Sequence, residues 1–547
     1  MPWLQHYDPL GNAALSTLSA AVPALTLFFF LAVWRSAAWK AALYGCAAAV
    51  AVAWLIFRMP PRMIAGAVSS GLVFGWFRIT WLVVAAIFVY DIAVETGQFE
   101  TMKRSIAGVT DDSRLQLLLI AFAFGALLEG AGGAGAPVAV TAAMMIGLGF
   151  PPFQTAALCL LANSSPVAFG GLGNPIRTLG AVTGLPEMEF SAMAGRILPL
   201  TTLLLPFWLV RMMAKTRETL AVWPGLVLGG VTFGSIQFFW SNYVDSALVD
   251  ILSGIGTLLV LAVFFAKVWR PKEVWLVPGL KPPAAQPGGA KPTFRQTLKA
   301  WSPFLVLSLF VVLWGAPPVA RFLDTFSWKA PVPGLHLQVV RQPPAVGAPR
   351  PEPAFYDVSW LSNAGTGTFL AGLLVGPLLG LSFGATLRIF LGTLFRLRFS
   401  IVAILGMLSL GYLTRYCGMD ATLGLALART GVLFPLFGTL IGWLGVALSG
   451  TDVGSNALFG SLQVITANKL GLSPILMGAA NSAGGVMGKM IAAQSLVIAC
   501  AVTGQEGKEG LLFRKVAVHS VALALIVGLI VLMYAYVFPG AIPGGRP

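Results

Sequence analysis

Glu129-Gly-Ala-Gly-Gly-Ala-Gly-Ala-Pro137, leading on to Asn163-Ser-Ser-Pro166, and Ser449-Gly-Thr-Asp-Val-Gly-Ser-Asn456, leading on to Asn481-Ser-Ala-Gly-Gly485, read as distant copies of one another. Each sets an acidic residue in a Gly-rich break. Each then runs through apolar sequence to a Leu-Gly pair followed closely by Pro (Leu148-Gly149, Leu470-Gly471) and reaches an Asn-Ser pair. Backbone N–H and C=O groups released by such a break cannot face lipid, so they are buried or line a hydrated cavity. Corresponding breaks in two halves of an apolar chain are the sequence mark of a secondary transporter's binding site.

Composition agrees with a membrane chain. Of 547 residues 57% are hydrophobic and only 10% charged, more apolar surface than a soluble domain of this length hides. Apolar runs recur from residue 12 to residue 538, and with the two broken segments they predict roughly 12 to 14 spans of about 20 residues each. The expected fold is all-helical and polytopic, in two inverted-topology repeats with broken or re-entrant helices. The first repeat covers 1–266, with its break at about 129–177. The second covers 300–547, with its break at about 449–495, and 267–299 joins them.

The formal charge of +15 does not indicate nucleic acid, because the basic residues sit in short loops and do not interleave with exposed aromatics. Segment 267–299 carries seven Lys/Arg against one Glu and is expected to be cytoplasmic. So are the segments holding Arg211, Lys215 and Arg217, and Arg388, Arg396 and Arg398. The longer, Pro-rich 317–358 stretch has four basic residues and is expected outside, as are both termini. Each half then crosses the membrane an odd number of times, which inverts one half relative to the other. The first apolar run lacks a basic leader, so it is expected to direct insertion without being cleaved. Cys46, Cys159, Cys417 and Cys500 are solitary, and His6, His336 and His519 are scattered, so neither metal nor cofactor is expected. The sequence sets no oligomeric state.

Three resemblances to catalytic motifs fail on inspection. Gly130-Ala-Gly132-Gly-Ala-Gly135 follows a membrane-length segment instead of the short strand that a dinucleotide fingerprint needs. Gly484-Gly485-Val-Met-Gly488-Lys489-Met490 puts Met where a phosphate loop needs a magnesium-binding hydroxyl. Tyr90-Asp91 with Gly450-Thr451-Asp452 lacks the glycines of an intramembrane aspartyl protease. No enzyme is expected. What remains is a set of polar groups at membrane depth, where each is costly and usually faces a cavity or a partner. Asp452 and Glu129 are the candidate proton-coupling carboxylates, with Asp452 favoured because Thr451, Ser455 and Asn456 surround it. The competing reading makes each a helix N-terminal cap. Lys489 is a candidate counter-charge for an anion, or else snorkels to an interface. Asn163, Ser164, Asn456, Asn481 and Ser482 suit a carboxylate ligand beside free backbone N–H groups, or simply tie off broken backbone.

At these residues the chain resembles the L-lactate permease family along nearly its full length. The likeness is carried by Tyr7-Asp8-Pro9, Thr96-Gly97-Gln98-Phe99, Leu128-Glu129-Gly130, Gly135-Ala136-Pro137-Val138-Ala139, Pro166-Val167-Ala168-Phe169-Gly170, Gly442-Trp443-Leu444-Gly445, Ser455-Asn456-Ala457-Leu458-Phe459 and Gly488-Lys489-Met490-Ile491. It implies a multi-pass symporter of the bacterial cytoplasmic membrane that takes up lactate, and often glycolate, with protons. The charges depart from that pattern. Asp91 and Glu95 stand where Lys is expected, Arg177 replaces an aliphatic residue, and Arg415 with Asp420 replaces polar residues around Tyr416. Together they suggest a rewired ion-pair network in which Arg415 and Asp420 compensate one another, with Arg415 and Tyr416 among the substrate-binding groups. The function expected is import of L-lactate and related 2-hydroxy monocarboxylates by proton symport, its partners being that substrate, protons and the lipid bilayer. Sodium-coupled uptake of another small organic anion is the alternative. A passive channel fits less well, because paired breaks favour alternating access.

Overall fold

The computed structural model describes residues 2–30, 34, 36–132, 136–278, 292–346 and 348–544. Gly133-Ala134-Gly135 of the first break and residues 279–291 of the expected linker therefore lie outside the described residues. The described residues are mostly helical, with a few short strands, as suits a chain whose backbone polar groups must be satisfied within lipid. Among the described residues nine helices are long and apolar enough to cross a membrane, and two bent helix pairs raise the number to as many as eleven. Ala13–Phe28, Pro137–Gly147 and Ala364–Leu378 are apolar but shorter.

The broken regions are laid out alike. In the first, α1 (Gly125–Ala131), α2 (Ala136–Gly147), α3 (Pro152–Ala162) and α4 (Gly170–Thr183) follow one another, with α3 and the stretch from Val167 bent by 62°. The long helices α5 (Glu187–Met213) and α6 (Val249–Val263) come next, and later α7 (Phe383–Cys417). In the second region, α8 (Phe434–Ser449), α9 (Asp452–Leu470), α10 (Pro474–Gly488) and α11 (Ala493–Val502) repeat the order, with a bend of 41° after Ile491, and α12 (Glu509–Tyr536) closes the chain. Pro at the first turn of α3 and α10 fixes where each helix restarts. Helices α2 and α3 pack as a pair, as do α9 and α10, and the two regions meet where α4 lies on α9 and α5 on α10. Helices α8 and α10 touch backbone to backbone, since a Cβ on Gly442, Gly484 or Gly488 would strike a carbonyl of the facing helix.

Five short strands form two small sheets. β1 (Trp3–Leu4) pairs in parallel with β3 (Val339–Arg341), which pairs antiparallel with β4 (Arg350–Pro351), while β2 (Trp328–Pro331) pairs with β5 (Phe355–Val358). The N-terminal strand and the 317–358 segment therefore share one face. In the β2–β5 pair, burial acts to raise the Asp357 carboxyl, but the Ser359 hydroxyl and the Arg78 guanidinium at 2.8 Å outweigh it and hold that carboxyl below its usual range.

Helix α5 relates the two ends of the molecule, since 27 residues rise about 40 Å. At its start, Glu187 faces Arg177, and Gly184 just before it lies against the Arg415 guanidinium, which reaches Glu352 beside β4. Beyond its far end, Arg114 donates to the Glu218 carbonyl at 2.7 Å and to the Glu273 carbonyl at 3.2 Å. The described part of 267–278 thus lies opposite the strands. Helix α12 runs antiparallel to α5, with His519 against Trp208 and the Tyr534 hydroxyl on the Arg196 carbonyl, so residues 536–541 end on the strand-bearing side.

One expectation changes. Arg388, Arg396 and Arg398 do not occupy a loop; they lie on α7, whose 35 residues exceed the length needed to cross the hydrocarbon core. Its first turns can therefore carry charge, with Arg396 on Asp91 and Arg398 stacked on Phe395 at 3.8 Å.

The far end is held by a buried ion pair. Arg114 meets Asp112 at 2.5 Å, both side chains are buried, and Asp112 also accepts from the Trp275 backbone N–H at 3.0 Å. Breaking one side of such a pair strands the other charge, at about 3–5 kcal/mol. Arg114→Met should therefore lower the thermal unfolding midpoint of the detergent-purified protein strongly, and adding Asp112→Asn should recover part of the loss. Additive losses would show that the pair is not coupled.

Candidate functional site

Where the two broken regions meet they enclose a cavity of about 300 Å³. Its polar lining comes from Glu129, Asn174, Ser400, Ser449, Thr451, Asp452, Lys489 and Gln494, and apolar walls include Ile87, Ile404 and Met407. Each polar group reaches the cavity for a local reason. Glu129 sits in the last turn of α1, just before the first break, and its carboxylate lies against Gly170. Asn174 follows Gly171, Leu172 and Gly173, all three left-handed, which turn the chain so that the regular part of α4 starts at the cavity. Leu172 is the costly member, because a side-chain residue with positive φ stores strain of a kind that clusters at functional sites. Thr451 caps α9 by accepting from the Gly454 N–H at 3.0 Å, after Gly450 has turned out of α8 at φ 79°. Two helix N-termini, those of regular α4 and of α9, therefore open on one cavity, and each carries unpaired N–H groups and a partial positive charge.

Lys489 supplies the full charge. It is 5% exposed and its ammonium donates at 2.7 Å to the Gly450 carbonyl at the C-terminus of α8, where a cation is favoured. It does not snorkel. Glu129 and Asp452 both lie within its electrostatic reach, so one ammonium serves two carboxylates. An ammonium has three N–H donors, which leaves two beyond the Gly450 bond.

The structure answers the competing reading of the two acids. Neither is a helix cap: Glu129 is at the C-terminal end of α1, and Thr451 is the cap in front of Asp452. Asp452 accepts from the Ser482 hydroxyl at 2.5 Å through one oxygen, while its other oxygen, like Oε2 of Glu129, has no hydrogen-bond partner in the protein.

The predicted amides and hydroxyls stand behind this cavity instead of lining it. Asn456 donates at 3.1 Å to the Pro175 carbonyl just after α4's kink, Asn481 donates to Asn456 at 2.9 Å, and Gln463 in turn donates to Asn481. Ser482 orients Asp452, and the Ser164 hydroxyl returns to the Leu161 carbonyl. Asn163 lies beside Glu129 with its amide unpaired.

The rewired charges do not form one network, because helix direction sends them to different places. Asp91 pairs with Arg396 and Thr393, Arg177 with Glu187 and Asp245, and Glu95 is exposed. Arg415 and Asp420 lie within electrostatic reach of one another but make no direct ion pair among the described residues. The left-handed Gly418 turns the chain between them, so Arg415 reaches Glu352 at 3.2 Å and the carbonyls of Ala181 and Val182 at the end of α4, while Asp420 faces Thr414 and Ser461. Tyr416 is buried with its hydroxyl on the Pro353 carbonyl. Arg415 and Tyr416 thus fasten the strand segment and lie away from the cavity.

Three participants were missed. Asn174 and Gln494 line the cavity, and Asp250 on α6 is fully buried beside Glu129, with neither oxygen paired. Asp250 had a signal in the sequence: it is the sole acid in the apolar run 247–266, and an unpaired acid at that depth is costly.

Comparison with known proteins bears on the whole chain. The family model described as L-lactate permease matches residues 16–538. Glycolate permease GlcA of Escherichia coli K12 is 42% identical over 554 residues, covering 98% of this chain and 99% of that protein. The L-lactate permease of Salmonella typhimurium LT2 is 41% identical, and that of Bacillus subtilis 168 is 40% identical; each match covers 99% of this chain and 100% of the relative. The solved structure of MtrF from Neisseria gonorrhoeae aligns over 89% of this chain and 86% of that one, at 13% identity and a TM-score of 0.42, a likeness that fixes neither fold nor function.

The kink that presents Asn174 gives a direct test. A Cβ on Gly173 would lie 2.6 Å from the Ser246 carbonyl oxygen at φ +75°, whereas one on Gly171 would meet only the Asn174 amide, at 3.5 Å. Gly173→Ala should cost at least about 1–3 kcal/mol in thermal unfolding, and Gly171→Ala clearly less. Equal losses would mean that the Ser246 contact is immaterial.

Proposed function

The chain belongs to the L-lactate permease family, and from that premise we propose that it imports L-lactate and related small 2-hydroxy monocarboxylates, including glycolate and D-lactate, by proton symport across a bacterial cytoplasmic membrane. The relatives named for glycolate and L-lactate support the substrate class, and both match the chain over nearly its whole length. The observation that carries the mechanism is the meeting of Lys489, two helix N-termini and two carboxylates around one small cavity. The substrate's carboxylate takes the two remaining Lys489 donors and the free N–H groups of α4 and α9. The role proposed for Asn456, Asn481 and Ser482 is to hold that geometry, and Asn163 and Ser164 support the first break.

Coupling follows from charge. Lys489 cannot fully serve Glu129, Asp452 and an arriving anion together. A proton on Asp452 removes one claim on the ammonium and so favours anion binding, and by reciprocity the bound anion favours the proton. The proton also cancels the electrical cost of bringing an anion into a negative interior, about 2.3 kcal/mol per charge at 100 mV. Substrate and proton therefore enter together and leave together. The two broken regions are proposed to rock as inverted repeats about this cavity.

Asparagine mimics the protonated acid. Asp452→Asn should abolish proton-driven accumulation of radiolabelled lactate in proteoliposomes while retaining lactate:lactate exchange, which does not require the proton to leave. Accumulation with normal proton dependence would move the role to Glu129, and uptake driven by an imposed sodium gradient instead of a proton gradient would overturn the coupling ion.

The sidedness proposed from Lys/Arg asymmetry places 267–299 in the cytoplasm and 317–358 with both termini outside. A membrane-impermeant thiol reagent should label single cysteines within 317–358 on intact cells and spare those within 275–290; the reverse pattern would turn the molecule over.

A further inference from the structure

Asn174 is anomalous. It is 2% exposed, yet neither its amide nitrogen nor its amide oxygen has a hydrogen-bond partner in the protein, although buried amides are almost always paired. Asn163 is unpaired too, but it stands behind the cavity and does not line it. Asn456 and Asn481, equally deep, are tied to Pro175 and to each other. The chain also goes to some conformational expense to place Asn174, through three successive left-handed residues, one of them leucine. It lines the cavity at the start of regular α4, across from Asp452 and Lys489.

Resting on the reading of this cavity as a 2-hydroxy acid site, we propose that Asn174 is the residue that recognises the substrate's 2-hydroxyl. The chemistry of the lining assigns the parts. A carboxylate only accepts hydrogen bonds, and the donors for it are the Lys489 ammonium and the two helix N-termini. A hydroxyl both donates and accepts, and so does an amide, whichever way its two ends are turned. Glu129 and Asp452 only accept when ionised, and Lys489 only donates. The lining hydroxyls do not match it: Ser449 and Thr451 are bonded to backbone groups at the second break and Ser400 is exposed, whereas the buried Asn174 amide can do both and has neither capacity spent inside the protein. Gln494 is also an amide, but it is exposed and borders Gly450 at the second break. An acid without the hydroxyl leaves the Asn174 amide unpaired in its bound site, so discrimination arises from the unmet bond as much as from the formed one.

The test compares acids that differ by one hydroxyl. Competition against labelled lactate in the exchange mode is measured for glycolate against acetate and for lactate against propionate. The wild-type protein should favour the hydroxy acid by at least about tenfold in each pair, the size of one net hydrogen bond. In Asn174→Leu, near in shape but unable to bond, that preference should collapse to about twofold or less, while acetate and propionate compete about as well as before. Asn174→Ser, which restores a group that donates and accepts, should keep part of the preference. Because the amide makes no bond in the protein, Asn174→Leu should unfold at or above the wild-type temperature without substrate. A preference retained in both Asn174→Leu and Asn174→Ala overturns the assignment and leaves the 2-hydroxy acid reading intact. Loss of folded protein in all three variants also overturns it, since the role would then be structural. A wild-type protein that does not prefer hydroxy acids overturns the substrate reading itself, and the assignment with it.

Discussion

Everything in this molecule depends on one constraint: a backbone amide released from a helix inside a membrane must find a partner, and lipid offers none. The chain breaks its helices twice at comparable places, after Glu129 and after Ser449, and each break frees groups that then need partners. Some are taken by side chains from the other region, as when Asn456 of α9 holds the Pro175 carbonyl of α4 and Lys489 holds the carbonyl of Gly450. The starts of regular α4 and α9 lie at the cavity. The cavity is thus lined by groups that remain unpaired once the two broken regions have satisfied each other.

The charges obey the same economy. A lone ion at this depth is prohibitive, so Lys489 stands between Glu129 and Asp452, and Arg415 is spent on Glu352 and the last carbonyls of α4. The second arrangement joins the strand-bearing face to the broken helix, with both terminal nitrogens of Arg415 paired and only its Nε left over. The first is deliberately short of partners: one oxygen each of Glu129 and Asp452, both oxygens of Asp250 and the whole amide of Asn174 remain free of hydrogen bonds.

The amino-acid sequence by itself determined the helical, membrane-spanning class, the paired breaks and the ionisable residues at their centre. These follow from local rules: apolar runs long enough to span, Gly and Pro where helices must stop, and the cost of charge in lipid. Glu129, Asp452 and Lys489 could be read as one site because each sits at a break, and the structure does bring them to one cavity. The supporting cast was not legible. Asn456 and Asn481 look like ligand groups in sequence, and only the packing of α4 on α9 shows their hydrogen bonds already committed. Arg415 and Asp420 are five residues apart, yet a left-handed Gly418 points them into different surroundings. Asp250 was marked only as a lone acid in an apolar run, and Asn174 carries no motif; that both lack partners emerges only after every neighbour has been placed. Local chemistry decides where a chain must break and which residues are expensive, but whether a polar group is spent or free is a property of the groups around it, and tertiary structure alone supplies those.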